Sequence, residues 1–86
     1  MYILEKTLKA FANKRRLAII RFLRKREEAT VGDIAEHIGL SLKATSRHLS
    51  ILAAARVLVS EQRSLYVYYR INSALPRGAK SIISLL

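Results

Sequence analysis

Four side chains near the middle of the chain have the types and the spacing of a surface that binds a polyanion. Lys43 is followed three, four and seven residues later by Ser46, Arg47 and Ser50. A helix places residues at these intervals on one face. Arg47 is the strongest donor among them, because its planar guanidinium can form two parallel hydrogen bonds with O6 and N7 of guanine. These side chains can therefore bind an anionic partner through hydrogen bonds, and we find no sign in them of a chemical reaction.

The helix that carries them has a recognisable start and an apolar side. Ser41 is a favourable N-cap residue, since its hydroxyl can accept a hydrogen bond from the first turn. The buried stripe is predicted to consist of Thr45, His48, Leu49 and Leu52. With that stripe turned inward, the outward face comprises Leu42, Lys43, Ser46, Arg47 and Ser50.

A second helix is predicted just before this one. Thr30 followed by Asp33 is a short-armed variant of the capping box, and it marks the helix start. Gly39 is predicted to end it. Apolar residues recur between them at helical steps, at Val31, Ile34, Ala35 and Ile38. Two helices joined by a short turn that contains Gly form a helix-turn-helix.

The flanking segments complete a winged helix-turn-helix. Upstream, two amphipathic helices are predicted, one ending at Asn13 and one over residues 14–25 with a basic back. After residue 56 the hydrophobic period falls to two, which predicts a β-hairpin with its turn at Gln62, Arg63 and Ser64. A short final helix follows Gly78. The predicted fold is mainly α with a small β-hairpin, in the order α-α-α-α-β-β-α, and forms one domain over residues 1–86.

Composition restricts the classes of function. The 86 residues include 16 Lys and Arg against 6 Asp and Glu, a formal charge of +10 that attracts nucleic acid. No apolar run approaches the roughly 18 residues that span a bilayer, and no signal peptide is visible, so we expect no membrane partner and a cytoplasmic location. With no Cys, 2 His and scattered acids, the sequence offers no catalytic set. We expect no enzyme activity and no cofactor.

Contacts to double-stranded DNA can be assigned to individual residues. Arg47 is expected to read a base in the major groove, whereas Ser41 and Ser46 are expected to meet phosphate or sugar. Leu42 can touch a thymine methyl, and Lys43 can read a base or hold a phosphate. At the wing tip, Arg63 can enter the minor groove or meet a phosphate. A solvated face is the alternative for Lys43 or Ser50 alone, and a solvated turn is the alternative for Arg63.

Four stretches of the chain, taken together, resemble the arsenic-repressor (ArsR) family of winged-helix regulators. They are LKAFANKRRLAIIRFL from Leu8, VGDIAEHIGLS from Val31, ATSRHLSIL from Ala44 and VYYRI from Val67. The resemblance implies a dimeric bacterial or archaeal repressor with the helix after Ser41 in the major groove. It also implies that the first and last helices form the dimer interface, with Leu4, Leu8, Ile82 and Leu86 as candidates for burial there.

The sequence departs from this family at four places. Where metal-sensing relatives carry a Cys-Val-Cys run, this chain has Thr30, Val31 and Gly32, and its last helix lacks the Asp and His ligands of the other common site. We therefore expect no metal site, and the effector stays unknown. Arg56 stands where the family commonly has Gly at the end of the recognition helix. Either it adopts a strained left-handed conformation, or the helix boundary is shifted, or it adds a backbone phosphate contact. The wing tip also lacks the usual Gly.

Other functions remain open on the sequence alone. The high charge also fits a non-specific architectural protein, which would lack preference for one DNA site. A winged helix can also serve as a protein-interaction module, because a fold does not fix a function. The tyrosines at 66, 68 and 69 could stack on unpaired bases. Their position in a predicted hairpin favours packing within the sheet.

Overall fold

Five helices and one three-stranded sheet make up residues 2–86, which are the residues described by the computed structural model. The helices are α1 (Tyr2–Phe11), α2 (Lys14–Arg26), α3 (Val31–Ile38), α4 (Leu42–Ala54) and α5 (Ala79–Ser84). The strands are β1 (Glu28–Thr30), β2 (Leu58–Arg63) and β3 (Tyr66–Ile71). The winged helix-turn-helix prediction and the short final helix are confirmed.

The helix-turn-helix is fixed by local signals that the sequence displays. The Thr30 hydroxyl accepts a hydrogen bond from the Asp33 backbone N–H at 3.1 Å, which caps α3. Gly39 ends α3 in the left-handed conformation with φ of 70°, where a glycine avoids a steric cost. The Ser41 hydroxyl accepts from the Ala44 N–H at 3.1 Å and caps α4. These caps set where the polar face of α4 begins.

The sheet contains a strand that the sequence did not reveal. Its order is β1-β3-β2 with antiparallel pairing throughout, and Ala29 of β1 lies opposite Tyr69 of β3. The predicted order of elements was therefore incomplete, because β1 comes between α2 and α3. Three residues are too few to show a period, and β1 is defined by pairing with a strand about 40 residues away.

The turn of the hairpin was predicted too early. Gln62 and Arg63 belong to β2 and pair with Val67 and Tyr66 of β3. The turn lies at Ser64 and Leu65, and Ser64 has a φ of 57°. A positive φ at the turn allows the tight connection that two-residue hairpin loops require. We call the hairpin of β2, this turn and β3 the wing.

Asn13 begins a helix, although it was predicted to end one. Helix α1 stops at Phe11, and the Asn13 side-chain oxygen accepts hydrogen bonds from the N–H groups of Arg15 at 2.9 Å and Arg16 at 3.1 Å. Asn is a favoured N-cap residue because its short side chain satisfies these otherwise unpaired donors. The connection between α1 and α2 is consequently short, and the two helices are neighbours.

The core lies where α2, α3 and α4 meet the base of the sheet. Its fully buried side chains include Ile19, Ile20, Ile34, Leu49, Leu52 and Val57. They come from the apolar sides of α2, α3 and α4 and from Val57, the residue just before the wing. Because one side of α4 is completely buried, its opposite side must face solvent.

Three arginines on the basic back of α2 hold other helices. Arg15 donates to the carbonyl of Ile38 at the end of α3, at 3.0 Å. Arg16 donates to the carbonyl of Ala10 in α1 at 2.6 Å, and Arg24 donates to that of Ile83 in α5 at 2.9 Å. The last carbonyls of a helix lack partners within it, and a cation there also interacts favourably with the helix dipole. These arginines were interpreted only as a charged surface.

We expect the substitution Thr45→Val to stabilise the fold. Thr45 is fully buried, and its hydroxyl has no hydrogen-bond partner within residues 2–86. Burying an unsatisfied hydroxyl costs about 1–3 kcal/mol, and Val has nearly the same shape. Urea denaturation should show a free energy of unfolding about 1 kcal/mol higher.

Thr7→Val is the matched control for this prediction. Thr7 is equally buried, but its hydroxyl donates to the Ile3 carbonyl at 3.0 Å. Its replacement removes a satisfied hydrogen bond and should not stabilise the chain. Equal effects of the two substitutions would show that the hydroxyl of Thr45 carries no penalty.

Candidate nucleic-acid interface

The polar side of α4 forms an exposed surface with the composition that the sequence predicted. Lys43, Ser46, Arg47 and Ser50 are all exposed. Together with Ser41 and Ala44 they line a shallow depression of about 530 Å³. Seven residues of helix separate the first and last of them, a length of about 10 Å. An α-helix with its side chains is about 10–12 Å in diameter and fits the major groove of B-DNA, which is about 12 Å wide.

The charges on this face are free to meet a ligand. Helix α4 contains no Asp or Glu. Among residues 2–86, neither Lys43 nor Arg47 takes part in a salt bridge. A guanidinium without a protein partner can approach a base or a phosphate without breaking an ion pair first. The structure thus brings together the predicted residues of α4 on one open, uncompensated basic surface.

Two predicted residues lie at the start of α4. Leu42 is 60% exposed, although it is a large apolar side chain. The hydroxyl of Ser41 is engaged as the cap acceptor. It can still donate its own proton, which is the direction that a phosphate oxygen requires. Both side chains remain accessible to a partner that approaches the beginning of α4.

His48 connects α4 to α2. Its Nδ1 lies 3.3 Å from Nη1 of Arg16, the arginine that also contacts the end of α1. Partial burial, together with the positive charge of Arg16, holds the pKa of His48 below its usual range. The imidazole therefore stays neutral at neutral pH and can accept the hydrogen bond. This link between α1 and α4 had no signal in the sequence.

Arg56 adopts the strained conformation that its position suggested. Its φ is 62°, in the left-handed region that favours glycine. The side chain is exposed, and the backbone carbonyl accepts a hydrogen bond from the Asn72 side chain at 3.0 Å. Arg56 therefore sits at a fixed position between α4 and the wing, with its charge directed outward from the core.

We expect Arg56→Gly to stabilise the fold by about 1 kcal/mol, since glycine adopts a positive φ without a steric cost. Thermal unfolding measures this effect. Arg56→Ala is the control, because it removes the same charge and keeps the strain. Equal stability of the two variants would contradict the prediction. If Arg56 also contacts a phosphate, both variants should show a weaker salt dependence of DNA binding.

Arg63 is held by carboxylates. Its Nη1 and Nη2 donate to the two oxygens of Glu28 at 2.8 Å and 2.7 Å, and Nη2 also donates to Glu61 at 3.0 Å. We call Glu28, Glu61 and Arg63 the wing clamp. The hydrogen bonds from Arg63 hold the pKa of the Glu28 carboxyl below its ordinary value. The carboxyl of Glu28 is therefore ionised at neutral pH and stays so to a lower pH than an isolated glutamate would.

The tip of the wing is apolar. Leu65 is 89% exposed and Tyr66 is 59% exposed. Arg63 was predicted to occupy this tip, and that placement is wrong, because β2 extends through Arg63. The other two tyrosines differ in role: Tyr69 packs against the core, and Tyr68 lies under the Arg63 guanidinium, 4.6 Å from its carbon atom to the ring centre. Packing within the sheet was thus the better interpretation for these two.

The residues predicted for a dimer interface lie on neighbouring segments at the two ends of the chain. Leu8 is 51% exposed, whereas Leu4, Ile82 and Leu86 are half-buried. The first and last helices are close, because a Cβ added at Gly78 would lie 3.0 Å from Cδ1 of Leu4. Larger apolar surface comes from residues that were not predicted, namely Tyr2, Ile3 and Leu85, which are 72%, 62% and 85% exposed.

The positions of the family's metal ligands hold no suitable donors. The first of these positions is the N-cap of α3, Thr30, followed by Val31 and Gly32. The polar residues of α5 are Lys80, Ser81 and Ser84. His37 stacks on Phe22 with 4.1 Å between ring centres. Within residues 2–86, no three His, Cys, Asp or Glu side chains come together to hold a metal ion. These positions therefore offer no set of ligands that fits a metal ion. That the protein does not sense metal stays a prediction.

None of the helices in residues 2–86 has the length and apolar character needed to cross a membrane.

Comparison with known proteins agrees with this geometry. The profile of the family described as bacterial regulatory protein, arsR family, matches residues 13–60. The transcriptional repressor SdpR of Bacillus subtilis (strain 168) is 36% identical over 67 residues, which cover 78% of this chain and 73% of SdpR. The nodulation protein NolR of Rhizobium meliloti is 41% identical over 66 residues, which cover 77% of this chain and 53% of NolR. The match thus spans about half the length of NolR.

A solved structure shows the same architecture. The homodimeric winged helix-turn-helix DNA-binding domain of Mb0332 from Mycobacterium bovis superposes with a TM-score of 0.83 at 28% identity. The superposition covers 96% of this chain and 73% of that one. The matched profile includes α2, α3 and α4, which hold the candidate interface. The chain therefore belongs to the ArsR family of bacterial regulatory proteins, with a winged helix-turn-helix fold.

Proposed function

We propose that this chain is a sequence-specific, double-stranded DNA-binding repressor that acts as a homodimer and does not sense metal. The exposed face of α4 carries the proposal, because it presents Lys43 and Arg47 with no acidic residue on the same helix. In this arrangement α4 lies in the major groove and Arg47 reads a base. The protein then acts in the cytoplasm, where bacterial DNA is found.

Contacts to the DNA backbone complete the proposed complex. Ser41 and Ser46 meet phosphate or sugar and fix the register, and Lys43 and Ser50 extend the contact along α4. Leu42 touches a thymine methyl. Arg56, exposed at the end of α4, is placed to meet a phosphate. The formal charge of +10 favours all of these contacts.

A symmetric dimer fits the surface that the chain leaves uncovered. Leu4, Leu8, Ile82 and Leu86 contribute to the interface, together with the more exposed apolar side chains of α1 and the C-terminal end. A twofold dimer would read two half-sites about one helical turn apart. The homodimeric state of the Mb0332 domain supports this assembly.

The experiment that tests the function is selection of bound sequences from a random duplex pool at about 150 mM salt, where attraction to phosphate is already screened. A repressor should enrich a near-palindromic motif. A protein that coats DNA without specificity should enrich nothing, and its binding should fade with salt. That architectural role is the second candidate, and the high positive charge favours it.

A further inference from the structure

The guanidinium of Arg63 binds carboxylates through both terminal nitrogens, in a geometry that phosphate could also accept. Its two terminal nitrogens donate to separate oxygens of Glu28, at 2.8 Å and 2.7 Å. Parallel hydrogen bonds of this kind are the ones that arginine forms with carboxylate and with phosphate alike. The oxygens of Glu28 therefore occupy the positions that two phosphate oxygens would take.

The clamp joins β1 to β2, packs on β3, and holds the guanidinium in place. Glu28 belongs to β1, Glu61 and Arg63 belong to β2, and Tyr68 of β3 lies beneath the guanidinium. A cation above an aromatic face is attracted by the ring, which restricts Arg63 further. The arginine side chain is thus ordered before any ligand arrives, and little further freedom is lost when it binds one.

The charge of the clamp disfavours DNA while the clamp is closed. One guanidinium faces two carboxylates, so the group carries a net charge of −1 in a chain whose formal charge is +10. Lys43 and Arg47 on α4 have no such partners in residues 2–86. The three residues of the clamp and the face of α4 therefore present opposite charge to a phosphate, although Arg70 of β3, which pairs with Glu28 across the sheet, adds one positive charge beside the clamp.

We propose that Glu28 is an internal competitor that withholds a phosphate site at Arg63 from DNA, so that the wing adds no phosphate contact while the clamp is closed. This inference rests on the proposed DNA-binding function. It assigns to Glu28, a residue outside α4 and outside the wing, control over a DNA contact. The site it covers takes an anionic oxygen ligand, here the phosphate diester of duplex DNA.

The test is the salt dependence of binding to random duplex, measured for the full chain between 50 and 200 mM salt. In Glu28→Gln, Arg63 loses the carboxylate on the edge formed by Nη1 and Nη2, and Glu61 remains bound to Nη2 alone. That edge should add one phosphate contact and steepen the slope of log K against log salt by about 0.9. The loss of affinity over that fourfold range should then be about 3-fold larger than for the wild type. The double variant Glu28→Gln, Arg63→Gln should return to the wild-type slope.

Glu36→Gln is the matched control, because it raises the net charge equally from an exposed position on α3 and leaves the clamp intact. It should keep the wild-type slope. If Glu28→Gln gives the same slope as Glu36→Gln, the proposal is overturned. A wild-type protein that does not bind duplex DNA would instead refute the proposed function, so the two failures are distinct.

A second variant tests the proposal without altering Glu28. Arg63→Gln alone should leave the slope on random duplex unchanged, since Arg63 does not contact phosphate in the wild type. Arg21→Gln removes one positive charge from an exposed site on α2 and serves as its control. A slope shallower by about 0.9 in Arg63→Gln, but not in Arg21→Gln, would show that Arg63 already contacts phosphate and would refute the proposal.

Discussion

Arg47→Ala should lower affinity for the selected DNA site by roughly 5- to 150-fold per half-site, corresponding to the about 1–3 kcal/mol that a bidentate contact to guanine contributes. Arg47 is exposed on α4 and makes no salt bridge within residues 2–86. Its removal therefore costs a ligand contact and leaves the fold intact. Competition binding with the selected duplex measures the loss, and thermal unfolding verifies the fold.

The same experiment separates base reading from simple attraction. If Arg47 reads guanine, Arg47→Ala should bind the selected duplex and one with that guanine replaced almost equally. Lys43→Ala is the informative comparison. If Lys43 contacts a phosphate, its removal weakens binding to every sequence alike and makes the slope of log K against log salt shallower by about 0.9. If Arg47→Ala weakens binding to the random duplex and to the selected duplex by the same factor, Arg47 does not read a base.

The parts of this site that could be predicted depend on short-range rules. Thr30, Gly39 and Ser41 are caps whose effect is confined to adjacent residues, and the structure confirms each of them. The exposed face of α4 follows from them, because the caps and the buried stripe at Thr45 and Leu49 fix how the helix is rotated. Helical periodicity was therefore enough to identify the candidate DNA-binding face.

The features that escaped prediction depend on residues far apart in the chain. Glu28 and Arg63 are 35 positions apart, and Arg24 lies 59 positions from the carbonyl it binds. No periodic pattern records such pairs. Strand β1 belongs to the same class, since only its pairing with β3 makes it a strand. The ion pair of Arg63 was missed for this reason, because its partner Glu28 lies on β1, which was absent from the predicted fold.

Leu8→Glu should convert the protein from dimer to monomer. Leu8 is 51% exposed on α1, so a charged side chain there is tolerated by the isolated chain but not by an apolar interface. Tyr2, Ile3 and Leu85 expose further apolar surface on α1 and at the C-terminal end, and a monomer would leave it in water. Sedimentation equilibrium at tens of micromolar measures the change in mass.

Leu65→Glu is the matched control for that measurement. Leu65 is also a strongly exposed leucine, at 89%, but it lies at the tip of the wing. The same substitution there should leave the dimer intact. A monomeric wild type, or a Leu8→Glu variant that remains dimeric, would contradict the proposed interface.

Loss of the dimer should weaken DNA binding far more than loss of a single contact. When two α4 helices are joined, binding of the second half-site becomes intramolecular, which strengthens overall affinity by about 10²- to 10⁴-fold. Leu8→Glu should lose a factor in that range on a full palindromic site and almost nothing on an isolated half-site. Leu8 lies on a different helix from the DNA-binding face, so a selective loss on the full site can arise only through the dimer.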